Sequence, residues 1–335
     1  MEKIHFYAPD RSTHYMFEYK PEELAKALAI KTSGFTAWIV STYVRVKNAG
    51  LPCEFIDHIP SSGILFALSD FLGNRHPYTG ELMVVCAKSD KEFHPSAYLH
   101  VVQNPDDCHN RKNHIWKPYY IPHWPQPNLI SRRKSREFLV ENVAYMGTRT
   151  NLAKELLSED WNNSLRQLGV NWHPHFSHQK WSDYSEIDTI VAARSFSDRR
   201  YKNKPASKLI NAWRAEVPAI LTPESAFLAL RKSELDFAIV NSLDEIIDAI
   251  QKLKTNPKLY RSMVNNGIKR FQEFQEDKIT QLWLNFFNEY VFPEYQRWLK
   301  MPELSRISQF LQRYTKLKSD RIRARLKRFT SQGST

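Results

Sequence analysis

Short apolar runs alternate with segments of helical periodicity along the first 130 residues. Apolar positions recur every three or four residues over 21–28 and 35–48, which predicts two helices, with Pro21 in a first helical turn and Gly50 at a helix end. Compact apolar runs bounded by polar residues or proline are typical of buried parallel strands. The predicted strands cover 4–8, 53–56, 63–68, 82–87 and 98–103.

The same alternation starts again at residue 140. The pattern predicts strands over 140–146, 170–173, 189–193, 219–221 and 237–240, and helices over 151–168, 206–215, 243–253 and 257–274. Strands that alternate with helices favour an α/β architecture with a doubly wound parallel sheet in each half. Two such sheets imply a cleft between them.

Two segments break this alternation. Residues 104–136 hold five prolines among aromatic residues, so we expect a packed interdomain crossing without regular structure. Residues 278–300 predict a helix that is interrupted at Pro293 and bends back across the domain boundary. The expected units are therefore domains over 1–130 and 131–285, followed by a crossing helix and a basic helical tail over 286–335.

Composition adds a charge argument to this picture. The chain has 335 residues, 42% of them hydrophobic, and its net charge of +12 indicates an acidic partner. Residues 311–330 hold eight Lys or Arg and a single Asp, a local charge of +7. With Ile307, Phe310 and Tyr314 along one side, this segment is typical of a helix on anionic lipid, although a solvated charged tail has the same composition.

Glycine and cysteine counts exclude several classes. There are nine glycines, and none of them follow the spacing of a dinucleotide-binding loop or a Walker loop. Three cysteines without paired spacing, and an amino terminus without a signal segment, predict a cytoplasmic protein, either free or peripheral to a membrane. No window is apolar enough to predict a membrane-spanning helix.

Basic residues follow several predicted strands of the second half. Arg149 and Lys154 follow the first of these strands, Arg194 follows another, and Lys204 and Lys208 stand at the start of the helix over 206–215. Ligands of open α/β sheets bind at the carboxyl ends of strands. Cations near helix amino ends oppose the helix dipole, so the pattern indicates an anionic ligand such as a diphosphate. Each residue taken alone could also be a solvated loop cation.

These residues resemble a known family. The stretch from Val143 to Lys154 resembles the strand, Gly-Arg turn and distant Lys with which retaining glycosyltransferases of the GT-B type hold the donor diphosphate. Residues 204–221 resemble the donor-site helix of the same enzymes, and the likeness covers about 140–275. The resemblance implies two facing Rossmann-like domains, with the nucleotide-sugar donor in the second and the acceptor on the first. It also implies that Arg149, Lys154 and Lys208 bind phosphate.

One departure from the family concerns the sugar. Those enzymes commonly carry two glutamates eight residues apart at the donor helix, whereas Asn203 and Asn211 stand at the corresponding positions here. Neither residue supplies a carboxylate. We therefore expect Glu224 and Ser225, in the next loop, to contact the sugar.

Three other groups of residues carry candidate chemistry. His123 lies in a rigid, proline-rich stretch expected to border the cleft, and His14 follows the first strand, so both are catalytic candidates. A packed hinge and an ordinary polar loop are the alternatives for these two. The histidines within 173–178 lack the Cys or carboxylate partners of a metal site, which favours an ordinary loop.

The sequence predicts a metal-independent glycosyltransferase, with a role in polysaccharide biosynthesis, that moves a sugar from a nucleotide-activated donor to a glycan, lipid-linked or polymer acceptor. No cofactor beyond the donor substrate is expected. The alternatives are a non-catalytic anion-binding protein that docks to a membrane or nucleic acid, and a GT-B nucleotide-sugar epimerase. The chain shows no nucleic-acid-binding module, so nucleic acid is not favoured as a partner.

Overall fold

A computed structural model describes residues 2–30, 33–73, 80–197 and 200–332, with side chains described throughout except at 29–30 and 327–332. Within these residues the chain forms two parallel β-sheets, each with its own hydrophobic core. The predicted α/β architecture with two doubly wound domains is therefore confirmed.

The first domain is built on a six-stranded sheet in the order β2-β1-β3-β4-β5-β6, in which every neighbouring pair is parallel. Its strands are β1 Ile4–Tyr7, β2 Cys53–Ile56, β3 Gly63–Leu68, β4 Leu82–Ala87, β5 Leu99–Val102 and β6 Pro118–Tyr120. Its helices are α1 Pro21–Ile30, α2 Ser41–Asn48, α3 Ser69–Leu72 and α4 Asp106–His109, and a π-helical segment, Thr36–Val40, precedes α2.

Strand β6 corrects the prediction that the proline-rich crossing lacks regular structure. Tyr119 and Tyr120 pair in parallel with Val101 and Val102, and Pro118 is the first residue of the strand. An edge strand tolerates proline because one side of its backbone needs no ladder hydrogen bond. The first sheet therefore extends into the crossing.

The second domain is built on a five-stranded parallel sheet in the order β11-β10-β9-β7-β8. Its strands are β7 Asn142–Met146, β8 Asn171–His175, β9 Thr189–Ala192, β10 Ala219–Leu221 and β11 Ala238–Ile239. Its helices are α5 Glu159–Gln167, α6 Ser207–Ala215, α7 Ser225–Leu230, α8 Leu243–Thr255 and α9 Pro257–Phe271.

Helix α5 starts later than predicted. Ser158 caps it by accepting from the Trp161 N–H at 3.2 Å, and the segment predicted as its first turns forms two short 3-10 turns instead. Between those turns the Ala153 N–H donates to the Ala193 carbonyl at 2.8 Å. This contact with the loop after β9 holds the backbone extended, so a continuous helix from residue 151 is excluded.

The chain returns to the first domain through α10 Glu276–Asn285, a π-helical segment Phe286–Val291 and α11 Phe292–Lys300. Ile279 and Trp283 of α10 are fully buried in the first core, so the return begins before residue 286. The predicted interruption at Pro293 takes the form of this π-helical segment, and helical structure continues through the proline. The ring blocks the usual α-helical bond, and the wider π turn before it accommodates the missing N–H.

A last helix, α12 Glu303–Gln332, carries the basic tail. Arg313 is buried and its Nε donates to the Pro95 carbonyl at 2.9 Å, while Arg321 pairs with Glu92 at 2.7 Å. Part of the tail's charge therefore fastens α12 to the first domain. None of the described helices is both long and apolar enough to cross a bilayer.

Candidate functional site

The carboxyl ends of the two sheets meet in a polar contact between the domains. Strands β4 and β5 end directly before Lys88 and Gln103, and the loop before α6 supplies partners from the second domain. Lys88 Nζ donates to Asn203 Oδ1 at 3.1 Å, and Asn104 Nδ2 donates to Ser225 Oγ at 2.8 Å. We call these contacts the interdomain seam; it comprises Lys88, Asp90, Gln103 and Asn104 of the first domain with Lys202, Asn203, Lys204 and Ser225 of the second.

A cavity of about 540 Å³ borders this seam and is lined by both domains. Its volume is in the range of small-molecule sites. The indoles of Trp124 and Trp181 offer surfaces on which a sugar or a base could stack. Other lining residues are Ser41, Arg45, His123, Ser207 and Asn211.

His123 lies in the wall of this cavity, in agreement with the prediction that it borders the cleft. Its ring packs against Trp38 at a centroid distance of 4.6 Å, and its Nε2 lies 2.7 Å from Gln103 Oε1. Burial lowers the pKa of His123 to about 4, against a smaller raising effect of Asp90. The imidazole is therefore neutral at physiological pH, so one ring nitrogen donates a hydrogen bond and the other can accept one.

A cluster of charged residues surrounds the start of α6. Arg194, which follows β9, lies with Nε 3.0 Å from the carboxylate of Glu224, and both side chains are buried. The Nη1 atom of Arg194 is buried without a hydrogen-bond partner among the described residues. A buried guanidinium N–H without a partner is costly, and an anion would satisfy it.

Lys208 completes this cluster. It is partly buried, makes no hydrogen bond or ion pair with a described residue, and its Nζ lies 5.3 Å from the Tyr145 ring centre. Burial and the positive charge of Arg194 together lower the pKa of Lys208 to about 7, whereas the negative charge of Glu224 opposes this effect. Of these two cations only Arg194 pairs with a carboxylate, so the site can accept further negative charge.

The turn after β7 is packed closely against this cluster. A Cβ added at Gly147 would lie 2.7 Å from the Tyr145 hydroxyl oxygen and 3.2 Å from Lys208 Cε. The hydroxyl of Tyr145 donates to the Thr148 carbonyl at 3.0 Å, so the ring cannot move away freely. Glycine is required here because the backbone, a tyrosine and a lysine approach at one point.

The structure separates the other predicted phosphate ligands. Arg149 is exposed at the same turn, with its guanidinium 5.5 Å from the Phe176 ring, and pairs with no described carboxylate. Lys154 is also exposed, on a 3-10 turn. Lys204 points to the first domain and pairs with Asp90. Arg149 is therefore free to reach a ligand, whereas Lys204 already has an interdomain partner.

The two predicted sugar contacts both have partners within the protein. Glu224 is paired with Arg194, and Ser225 accepts from Asn104 across the seam. Of the two asparagines at the family's glutamate positions, Asn203 lies in the seam and Asn211 lines the cavity. Asn211 is thus the polar side chain of α6 that is best placed for a ligand in the cavity.

The remaining histidines lie elsewhere. His14 Nε2 donates to the Ala8 carbonyl at 2.8 Å, its ring packs on Phe55, and it does not line the cavity. His178 stacks on Trp181 at 3.7 Å and lines the cavity, while His173 Nε2 lies 3.2 Å from Asn142 Oδ1. In the described part of the chain, no group of three His, Cys, Asp or Glu is placed to hold a metal ion.

The interpretation of the sequence missed the first domain's contribution. Lys88, Asp90 and Gln103 follow strands β4 and β5, so the carboxyl-end rule that identified the second domain's cations also applies to them. Trp181 and Arg45 carry no comparable signal, because a loop aromatic and a helical arginine fit many structural roles.

A second cavity, of about 850 Å³, lies between α12 and the first domain. Phe310, Tyr314 and Lys318 of α12 line one side, and residues after β3 and β4 line the other. Asn203 also lines it, so this cavity reaches the seam. We call it the α12 groove.

Comparisons with known proteins agree with this architecture. No family model matches the chain, and no curated protein matches it in sequence. HepE of Anabaena, solved in complex with UDP, superposes with a TM-score of 0.50 at 10% identity over 86% of this chain and 100% of its own. Its complex with UDP and glucose gives a TM-score of 0.51.

TarM of S. aureus superposes with a TM-score of 0.51 at 12% identity, over 74% of this chain and 58% of its own. The chain thus spans a little over half the length of TarM. At such identities the likeness concerns the fold. The protein has the two-domain α/β architecture of the GT-B type.

Proposed function

We propose that this protein is a glycosyltransferase that moves a sugar from a nucleotide-activated donor to an acceptor hydroxyl. The observation that carries the proposal is the cluster at the start of α6, where Arg194 has a buried N–H group without a partner and Lys208 pairs with no described carboxylate. Such a site favours a ligand with two or more negative charges. The HepE structures with UDP and with UDP-glucose support a nucleotide sugar as that ligand.

In the proposed reaction the acceptor hydroxyl oxygen forms a bond to the anomeric carbon of the donor. The bond from that carbon to the phosphate oxygen breaks, and the nucleoside diphosphate leaves with the electron pair. The hydroxyl proton passes to a base, for which His123 is the candidate in the cavity. Negative charge builds on the leaving diphosphate, so cations placed beside it lower the barrier without a metal ion.

The diphosphate would lie against Lys208, the free Nη1 of Arg194 and the exposed Arg149, with Lys154 at the edge of the site. Lys204, Glu224 and Ser225 have partners within the protein, so they would hold the site's shape unless the domains move. Sugar and base would occupy the neighbouring cavity, where Asn211 offers an amide.

We place the acceptor on the first domain, where the α12 groove reaches the seam. A glycan, a polymer or a lipid-linked sugar would each fit its mixed lining of aromatic and charged side chains. A lipid-linked acceptor agrees with the exposed face of α12, which bears Leu304, Leu311, Ile322 and Leu326, all more than half exposed.

The spacings between these four residues are close to whole helical turns, so they lie on one side of α12. Arg306, Arg313 and Leu317 are buried on the opposite side. Lys318, Arg323 and Arg325 are exposed and form no ion pair with a described carboxylate. An apolar stripe flanked by cations suits an anionic membrane surface, and we propose that α12 lies on one.

A donor screen tests the proposed activity. Purified protein would be incubated with a panel of nucleotide sugars, and release of nucleoside diphosphate would be measured with and without acceptor extracts. We expect the wild-type protein to consume one donor class. We expect Lys208→Met to consume the same donor at least tenfold more slowly. Binding of nucleoside diphosphates without any turnover would instead support a non-catalytic anion-binding protein, and a changed sugar on the same nucleotide would support an epimerase.

A further inference from the structure

Gln103 connects the cavity histidine to the second domain. It follows β5 and its side chain is almost fully buried, at 3% exposure. Its amide makes three contacts: Nε2 lies 2.6 Å from Asp90 Oδ1 and 2.7 Å from the Asn203 carbonyl, and Oε1 lies 2.7 Å from His123 Nε2. All the hydrogen-bonding atoms of the amide are thus engaged.

The chemistry of these partners fixes the orientation of the amide. A carboxylate and a backbone carbonyl can only accept hydrogen bonds, so the NH₂ group of Gln103 must face Asp90 and Asn203. The amide oxygen then faces His123, and an oxygen can only accept. The proton of the neutral imidazole must therefore be on Nε2, which leaves a lone pair on Nδ1.

The edge of the imidazole that carries Nδ1 is open for a ligand. Nδ1 has no hydrogen-bond partner among the described residues, and this atom is not fully buried. Trp38 packs against the ring, and the negative charge of Asp90, which Lys204 partly neutralises, acts on it. Because the ring lines the cavity, a hydroxyl bound there can donate to Nδ1.

We propose that Gln103 is a positioning residue that holds His123 in the tautomer with its proton on Nε2, so that Nδ1 accepts a hydrogen bond from a substrate hydroxyl in the cavity. The Asn203 carbonyl belongs to the second domain, so the amide is fully oriented only when the interdomain seam is formed. Domain contact and histidine tautomer are therefore coupled through one side chain. The substrate hydroxyl rests on the proposed function, whereas the tautomer does not.

The tautomer can be read by NMR on protein with ¹⁵N-labelled histidine, with the His123 signals assigned by their loss in His123→Gln. In the wild-type protein we expect the Nε2–H form alone. In Gln103→Ala we expect the Nδ1–H form to gain at least a quarter of the population. Gln126→Ala, at a glutamine that lines the cavity, should leave the His123 signals unchanged.

Gln103→Glu separates the two contacts of the amide. The carboxylate still accepts from His123 Nε2, but it has no N–H group for Asp90 or Asn203. We expect the Nε2–H form to persist while the pKa of His123 rises by about 1–3 units beside the new negative charge. This variant also keeps the test open if Gln103→Ala does not fold.

Activity supplies a separate readout once a donor is identified. In Gln103→Ala we expect kcat to fall at least tenfold with little change in donor KM. A wild-type spectrum showing the Nδ1–H form, or a His123 tautomer and pKa that neither Gln103 variant changes, would overturn the positioning role. Absence of sugar transfer with the expected spectra would overturn the proposed function and leave the tautomer assignment intact.

Discussion

The buried guanidinium of Arg194 pairs with the carboxylate of Glu224, and the charges of both groups act on Lys208 at the start of α6. Arg194 bonds this carboxylate through Nε and keeps Nη1 without a partner, while Lys208 has no anionic partner at all among the described residues. The protein thus pays a free-energy cost for unbalanced positive charge in its second domain. Function is the usual reason for such a cost.

The first prediction concerns the stability cost of Lys208. Its pKa is about 7 in the folded protein and near 10.5 when unfolded, so the folded state disfavours the charged form. The cost is complete below pH 7 and disappears as the pH rises to about 10.5. Lys208→Met should therefore raise the unfolding temperature at pH 6 by roughly 2–4 °C, the shift typical of 1 kcal/mol, and by less at pH 10.

Thermal unfolding at both pH values would measure this, with the exposed Lys154→Met as the matched control. Equal effects of the Lys208 substitution at pH 6 and pH 10 would show that the charge of Lys208 is not penalised in the folded state.

The second prediction concerns Lys88 of the seam, which is 2% exposed and pairs within the first domain with Asp107 at 3.1 Å. Lys88→Met would leave the buried carboxylate without its cation, at a cost of about 3–5 kcal/mol in the free energy of unfolding. Asp107→Asn added to it should recover part of that loss. Urea unfolding would measure both.

Lys91→Met is the control for this pair, because Lys91 is 59% exposed in its ion pair with Asp70. Its effect should stay below about 1 kcal/mol. If Lys88→Met were as mild as this control, the buried ion pair would contribute little to the stability of the fold.

The third prediction concerns Gly147. An alanine there would place Cβ against the Tyr145 hydroxyl and should cost about 1–3 kcal/mol, measured as a lower unfolding temperature. Gly34→Ala is the control, since its Cβ would meet only ordinary contacts at 3.8 Å and beyond. Tyr145→Phe combined with Gly147→Ala should recover part of the loss; if it recovered none, the hydroxyl would not be the obstacle.

The fourth prediction concerns α12. The protein should co-sediment with vesicles that contain anionic lipid and should not co-sediment with neutral vesicles. Leu311→Ser with Ile322→Ser should abolish this binding, and Lys318→Glu with Arg325→Glu should weaken it at least tenfold. Tyr15→Ser, at an exposed aromatic residue of the first domain, is the control. Binding that tolerates the serine substitutions but needs the cations would indicate a polyanion rather than a membrane.

Much of the fold could be predicted from sequence because buried parallel strands are continuous apolar runs. The observed bounds of β2, β3 and β4 coincide with the predicted ones. β6 could not be predicted, because its pairing depends on a position at the edge of the sheet. The sequence around Pro118 does not indicate that position. The predicted start of α5 was wrong because the hydrogen bond between Ala153 and Ala193 is a tertiary contact, which overrides local helical periodicity.

The candidate site divides in the same way. Arg149, Arg194 and Lys208 could be proposed from sequence because ligands bind near the ends of strands in this class of fold. The partners of Lys204 and Ser225 could not, since Asp90 and Asn104 are more than a hundred residues away in sequence. Such contacts depend on how the two domains meet, which periodicity does not report.

Calorimetric titration with nucleoside diphosphates tests the central claim most directly. Binding should restore the charge of Lys208, so near pH 8 it should take up protons, and heats measured in buffers of different ionisation enthalpy should differ accordingly. Lys208→Met should lose this proton uptake, and its affinity should fall at least tenfold. Lys154→Met should keep the proton uptake. Binding by Lys208→Met with wild-type affinity and wild-type proton uptake would contradict a diphosphate site at Lys208.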